Sequence, residues 1–250
     1  MLTEERQERI KQLVDRESVV QIRDLVRTFN VSESTIRRDL ADLERAGRIK
    51  RLHGGAKSLR SLVDEPSLKE KRIINQTAKA NIAKRAALAV EDGDVLFLDA
   101  GTTTLAMVPF MAHKAVTMVT NSVEAASLAL EYEIDTILLG GRLKQGTGAI
   151  IGSVAQSQLA NYRFQKAFMG MNAITASDGY MTPDVEEAEI KRQVMQCSQC
   201  NYVLVDRSKF DQQSFCQVAP LKLATLITEP LAPHMKEALQ PLTTIIEVEE

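Results

Sequence analysis

Apolar side chains recur at three- and four-residue steps over the first fifty positions, and as short continuous runs beyond position 95. The two patterns predict two different kinds of structure. Residues 5–16 carry Ile10, Leu13 and Val14 on one helical face, and residues 21–29 repeat the pattern with Ile22, Leu25, Val26 and Phe29. A third helix, with Ile36, Leu40 and Leu43 inward, follows Asn30-Val31-Ser32. Ser32 is its expected N-cap, because a hydroxyl there can accept from an early backbone N–H. Thr35 stands where the Glu of a complete capping box would be. The helix should stop near Gly47. Ile49 and Leu52 lie too close together for a helical face, and Gly54-Gly55 suits a tight turn. The stretch 48–56 therefore predicts a short β-hairpin, a wing on the three helices.

Residues 58–74 are polar, with Pro66 and several charges, and predict a linker between an N-terminal domain (1–57) and a larger one (75–250). A helical pattern over 75–90 leads through Asp92-Gly93-Asp94 into the apolar run Val95-Leu96-Phe97-Leu98. Further strands are expected at 115–119, 136–139, 167–169, 202–205, 225–228 and 244–248, with helical patterns over 122–130 and 186–195 between some of them. Apolar strands alternating with helices predict a mainly parallel sheet covered on both faces, a three-layer α/β domain.

Composition narrows the class. Of 250 residues, 44% are hydrophobic and 26% charged, the balance of a globular protein. Tryptophan is absent and aromatics are 4%, so aliphatic side chains must form the core. No apolar run approaches the ~20 residues that cross a bilayer, and Met1-Leu2-Thr3-Glu4-Glu5-Arg6 lacks the apolar centre of a secretory signal. The three cysteines are too few for a disulfide framework. These features predict a cytoplasmic protein with no membrane partner. Cys197 and Cys200 have redox or zinc spacing, but they close a helical pattern and lack the further ligands of a structural zinc site, so no metal or cofactor is expected. Net charge is −2, yet residues 1–60 hold 14 basic and 10 acidic side chains against 17 and 23 in the rest. A basic end on an acidic body suggests that the first segment alone faces a polyanion.

Helical spacing turns Glu33, Ser34, Arg37, Arg38 and Ala41 outward or to the flank of the third helix. In a helix-turn-helix, the N-terminal residues of that helix meet base edges in the major groove. Arg37 and Arg38 can reach phosphate or guanine, and Ser34 and Thr35 offer hydroxyls. Arg48, Lys50, Arg51 and His53 would ride on the wing. The same spacing would also build a small bundle with a solvated basic face.

These residues carry a resemblance. Val31-Ser32-Glu33-Ser34-Thr35-Ile36-Arg37-Arg38-Asp39-Leu40, Leu43-Glu44, Gly47 and His53-Gly54-Gly55-Ala56 resemble the signature of the DeoR family of bacterial sugar-catabolism repressors. The resemblance implies that the helix beginning at Ser32, together with the wing, reads a double-stranded operator. It also implies that the protein represses transcription; because paired heads match paired half-sites, a homodimer or homotetramer is expected.

In the second domain, Asp99-Ala100-Gly101-Thr102-Thr103-Thr104 follows a strand and opens a helical segment. Backbone N–H groups, the helix dipole, a close-approach glycine and three hydroxyls together suit a phosphate. Asn121-Ser122, Gly140-Gly141-Arg142 and Asp206 with Lys209 fall at other strand ends, where ligands of open α/β sheets bind. Arg142 and Lys209 could neutralise phosphate, and Asp99 and Asp206 could accept from sugar hydroxyls. These segments, with Lys166-Ala167-Phe168, Gly170, Asp178-Gly179 and Ser208-Lys209-Phe210, resemble the DeoR-family sensor domain, which is similar in fold to ribose-5-phosphate isomerase. The resemblance implies that a phosphosugar binds at the loop after Asp99 and loosens the grip on DNA, with Glu189 and Lys191 near the ligand.

Met1 to Arg6, and Thr182-Pro183-Asp184 with Glu186-Glu187-Ala188, are similar to the fructose operon repressors of that family, whose effector is fructose 1-phosphate. Arg207, Asp211 and Gly146-Thr147-Gly148 depart from many relatives. An isomerase with a DNA-binding appendage would need a base beside the carbonyl. Asp99, Asp206 and Glu189 are candidates, but no isomerase catalytic motif is present. A transcriptional activator is a third reading.

Overall fold

A computed structural model describes residues 2–17, 19–59 and 62–249. Met1 and Glu250, the outer limits of the two expected domains, lie outside the described residues, as do Ser18 and, in the expected linker, Arg60 and Ser61. The chain divides into two compact units, residues 1–64 and 65–250.

The first unit contains α1 (Thr3–Glu17), β1 (Val19–Gln21), α2 (Ile22–Phe29), α3 (Glu33–Arg45), β2 (Ile49–Leu52) and β3 (Gly55–Ser58). Ile10, Val14, Leu25, Ile36, Leu40 and Ile49 are fully or almost fully buried together, so the three helical stripes and the wing share one small core. Gly47, at φ +66°, ends α3 as expected. The wing is a three-stranded sheet of order β1-β3-β2, not a simple hairpin. The extra strand, Val19-Val20-Gln21, is too short to show a period. It explains Gly55, where a Cβ would lie 2.1 Å from the Val20 carbonyl oxygen.

Asp39, 2% exposed, receives the Arg6 guanidinium at 2.6 and 3.1 Å and so ties α3 to α1. Asp39→Ala leaves that guanidinium buried without its carboxylate. It should destabilise this unit by about 2–3 kcal/mol, read by denaturation with a probe in residues 1–59. A change within ~0.5 kcal/mol would assign the pair no structural role.

The second unit begins with a correction. Residues 65–73 are not plain linker: Ser67 and Glu70 form a complete capping box on helix α4 (Leu68–Ile73). There follow α5 (Gln76–Ala87), β4 (Val95–Leu98), α6 (Thr102–Leu105), β5 (Thr117–Thr120), α7 (Val123–Glu131), β6 (Asp135–Leu138), β7 (Arg142–Leu143) and β8 (Ile150–Ile151). Next come α8 (Ser153–Leu159), β9 (Phe164–Met169), β10 (Ala173–Thr175), β11 (Gly179–Thr182), α9 (Val185–Cys197) and β12 (Ser198–Leu204). The chain ends with β13 (Cys216–Ala219), β14 (Thr225–Thr228), α10 (Pro233–Leu239) and β15 (Ile245–Glu247).

Seven strands form one parallel sheet of order β15-β14-β12-β9-β4-β5-β6. Its two faces carry separate cores. Leu96 and Leu98 of β4 pack with α5 and α7, whereas Phe97 packs with α8, α9 and the small antiparallel sheet β10-β11-β13. This is the three-layer α/β arrangement. Among the described residues, no helix is long and apolar enough to cross a membrane.

Candidate DNA-reading surface and candidate effector site

In the first unit, Ser32 caps α3: its Oγ accepts from the Thr35 N–H at 3.2 Å and lies 2.8 Å from the hydroxyls of Ser34 and Thr35. With Ile36, Asp39, Leu40 and Leu43 inward, the opening turns of α3 expose Ser34, Arg37 and Arg38, while Thr35 is half-buried. Arg37 is held by Glu33 one turn back, at 2.8 Å. Arg38 is exposed and has no partner among the described residues. On the wing, Lys50 and His53 are exposed, and Gly54 makes the turn at φ +98°. Arg51 uses its backbone N–H on Glu44, at 2.9 Å. Arg48 is half-buried, and its guanidinium bonds Glu8 of α1 at 2.5 Å.

In the second unit, the C-terminal ends of β4, β5, β6, β9 and β12 bring most of the other candidates to one edge. Asp99, 2% exposed, accepts from the Gly170 N–H at 3.0 Å and from the Lys191 ammonium. Lys191 also donates to the Gly170 carbonyl at 2.9 Å. The pair is thus a buried floor under the loop, joining β4, β9 and α9. The loop's first N–H groups lack intrahelical acceptors. Its hydroxyls are less available than expected: Thr104 is fully buried and donates to the Asp99 carbonyl at 2.7 Å, Thr103 is buried, and only Thr102 is half-open. Gly101 is extended, and its Cβ would sit 3.1 Å from the Thr104 Oγ1, so compactness rather than a special torsion favours glycine there.

Asn121 and Ser122 are mainly structural. The Asn121 Oδ1 accepts from the Ala100 N–H at 2.9 Å and so positions the loop, and Ser122 caps α7. Gly140 donates its N–H to Gln158 at 2.8 Å. Gly141, at φ +146°, approaches the Ile151 carbonyl where a Cβ would be 2.8 Å away. Arg142 is exposed and pairs with Glu186. Glu189 lies on the outer face of α9 with Arg192, at 2.5 Å, and away from the floor.

Asp206 is buried and accepts from the Asn75 Nδ2 at 3.0 Å and the Ser208 N–H at 2.9 Å. Burial alone would raise its pKa, but the charge of Lys209 and these hydrogen bonds outweigh it and hold the carboxyl below the usual range.

The residues that the sequence reading missed are charged. Lys79, 6% exposed, has its ammonium on the carbonyl oxygens of Ile74, at 2.8 Å, and Lys71, with no carboxylate bonded to it among the described residues. Burial lowers its pKa, Asp206 works against that, and Lys209 and Lys71 add to it. The signal was present: Lys79, Ile82, Ala83 and Ala86 share one helical stripe, so Lys79 falls on an apolar face. Glu65 is half-buried, accepting from Lys71 at 2.6 Å, Lys144 at 2.8 Å and Asn172 at 3.0 Å. Burial would raise its pKa, but Lys71 and Lys144 outweigh that and hold it at about 2. Lys144 also meets Glu187 at 3.0 Å and Asp184 at 3.1 Å. No sequence period marks Glu65 or Lys144.

Two family models match the chain, the DeoR-like helix-turn-helix domain over residues 6–62 and the DeoR C terminal sensor domain over residues 74–229. An HTH-type transcriptional regulator of Bacillus subtilis (strain 168), FruR, itself uncharacterized, is 44% identical over 91% of each chain. The lactose phosphotransferase system repressor of Staphylococcus aureus (strain NCTC 8325 / PS 47) is 33% identical over 98% of each. Among solved structures, ribose 5-phosphate isomerase A of Methanocaldococcus jannaschii aligns with a TM-score of 0.41 and 23% identity, over 54% of this chain and 55% of that one.

Proposed function

The chain belongs to the DeoR family, and from that premise we propose that it represses a sugar-utilisation operon and is released by a phosphorylated sugar, fructose 1-phosphate by preference. The operator would be read by the exposed opening of α3, through Ser34, Arg37 and Arg38, with Lys50, Arg51 and His53 on the flanking backbone. At least a dimer is expected, because paired heads match paired half-sites.

The observation that carries the effector reading is the buried ammonium of Lys79. It has no bonded carboxylate among the described residues, and α5, which carries it, packs on α6, the short helix that the Gly101 loop opens. A phosphate there would meet a desolvated cation and unpartnered N–H groups together. Lys209 is a second cation at that edge. Asp99 and Lys191 act beneath the ligand as the loop's support, while Asp206 faces the sugar hydroxyls. The choice of fructose rests on the similarity of residues 182–188 to fructose operon repressors and on the relative named FruR.

The test is binding to the protein's own upstream DNA at fixed salt, with fructose 1-phosphate, fructose 6-phosphate or unphosphorylated fructose added. Release by the 1-phosphate alone is the expected result. Tight binding that none of the three disturbs would remove the fructose assignment and keep the DNA assignment. Absence of binding at low salt would overturn the repressor reading.

A further inference from the structure

The segment that opens the second unit is laid across the candidate effector site as a strap. Its α4 packs on α6. The Leu68 N–H donates to the Gly146 carbonyl at 2.8 Å, Arg72 pairs with Glu124, and the Lys71 and Ile74 carbonyl oxygens accept from Lys79. At its start, Glu65 is fastened by Lys71 from the strap itself and by Lys144 and Asn172 from the body of the unit.

The charges around that fastening are unevenly distributed. Lys144 is shared among three carboxylates, those of Glu65, Asp184 and Glu187, within 3.1 Å. Lys71 bonds only one of them, Glu65. Asp184 and Glu187 are fixed by the first turn of α9, where Asp184 is the N-cap. If Lys71 were to leave, Glu65 would remain beside two other carboxylates and one ammonium, a repulsive arrangement in a partly desolvated place. The side chain that would yield is Glu65, because it alone belongs to the strap.

We propose that Lys71 is shared between two anions: without effector it fastens Glu65, and with effector its ammonium turns to the phosphate at the opening of α6. This rests on the phosphate site proposed above. A lysine suits the role, being a point charge on a flexible four-carbon stem with three rotatable donors. The main-chain carbonyl of Lys71 already accepts from Lys79, and α4 lies against α6, so Lys71 stands on the element that borders the loop. Its consequence is release of Glu65, the first residue of the second unit. Effector occupancy would then be felt directly by the chain that leads to the DNA-binding unit. The coupling is reciprocal, so operator DNA must in turn weaken effector binding.

Calorimetric titration of the full chain with fructose 1-phosphate, and separately with inorganic phosphate, tests this. Lys71→Gln removes a phosphate ligand and should weaken binding about tenfold. Glu65→Gln frees Lys71 from its competitor and should tighten binding several-fold. Both should shrink the effector's influence on operator affinity, and Lys71→Arg should restore most of it. Opposite shifts from the two ends of one ion pair are not expected of a pair that only holds the strap in place. Thermal melts of each variant separate these shifts from unfolding. Variants that bind as the wild type does, or that both shift the same way, would overturn the sharing of Lys71 while leaving the phosphate site standing. A wild type that binds neither probe would overturn the site and the sharing together.

Discussion

Lys191→Met should destabilise the second unit by about 3–5 kcal/mol and abolish the response to effector, leaving a repressor that cannot be released. The side chains of Lys191 and Asp99 are 5% and 2% exposed. Removing the ammonium leaves a carboxylate in the protein interior with, among the described residues, only the Gly170 N–H, at 3.0 Å, to stabilise it. A buried pair need contribute little net stability, but breaking it from one side is costly because the other charge stays desolvated. Asp99 also begins the loop that opens α6, so its displacement would misplace the N–H groups that a phosphate needs. Chemical denaturation with a probe in the sheet gives the energy, and effector titration gives the response. The double variant Asp99→Asn with Lys191→Met should recover much of the stability and none of the response. A loss below ~1 kcal/mol for the single variant would show that the charge is not buried as the geometry has it.

What the sequence reveals depends on how long each period runs. All seven strands of the parallel sheet are legible as apolar runs, and most clearly the central Val95–Leu98, which is covered on both faces so that no polar alternation interrupts it. The three helices of the first unit are legible for the complementary reason, a clean stripe facing one core. The two- and three-residue strands Val19–Gln21, Arg142–Leu143 and Ala173–Thr175 show no period at all. They are set by long-range pairing. The strap is a different case. Ser67-Leu68-Lys69-Glu70 carries a capping-box signature, but the charges around it read as solvated linker.

At the site, the backbone positions were legible and the partners were not. Position within the strand-to-helix loop fixes where Asp99 and Gly101 sit, whereas whether the Thr104 hydroxyl faces ligand or interior depends on a carbonyl that the fold brings to it. The cations divide along the same line. Lys191 and Lys79 fall on apolar stripes and so could be inferred to be buried. The grouping of Lys144 with Glu65 joins residues 79 positions apart, and no local pattern encodes it.

Arg38→Ala should lower operator affinity by about 1–3 kcal/mol, roughly 5- to 150-fold, and relax specificity at one base position in each half-site. Arg38 and Arg37 are adjacent and both exposed, yet their local chemistry differs. Arg37 is engaged by Glu33 at 2.8 Å, so it must break or share that pair to reach DNA. Arg38 has no such competitor among the described residues and can offer its planar fork to the O6 and N7 of a guanine. Arg37→Ala should therefore cost less than Arg38→Ala, since part of what it removes is already spent within α3. Lys50, exposed on the wing, belongs to a different class of contact. Lys50→Ala should weaken binding evenly across sequences and reduce the slope of log affinity against log salt by about one. Titrations of the three variants on the operator and on single-base substitutions, at several salt concentrations, separate these outcomes. Specificity lost with Arg38 and salt dependence lost with Lys50 is the expected division. Equal, sequence-independent losses for both would place Arg38 on the phosphate backbone and move base reading to Ser34 and Thr35.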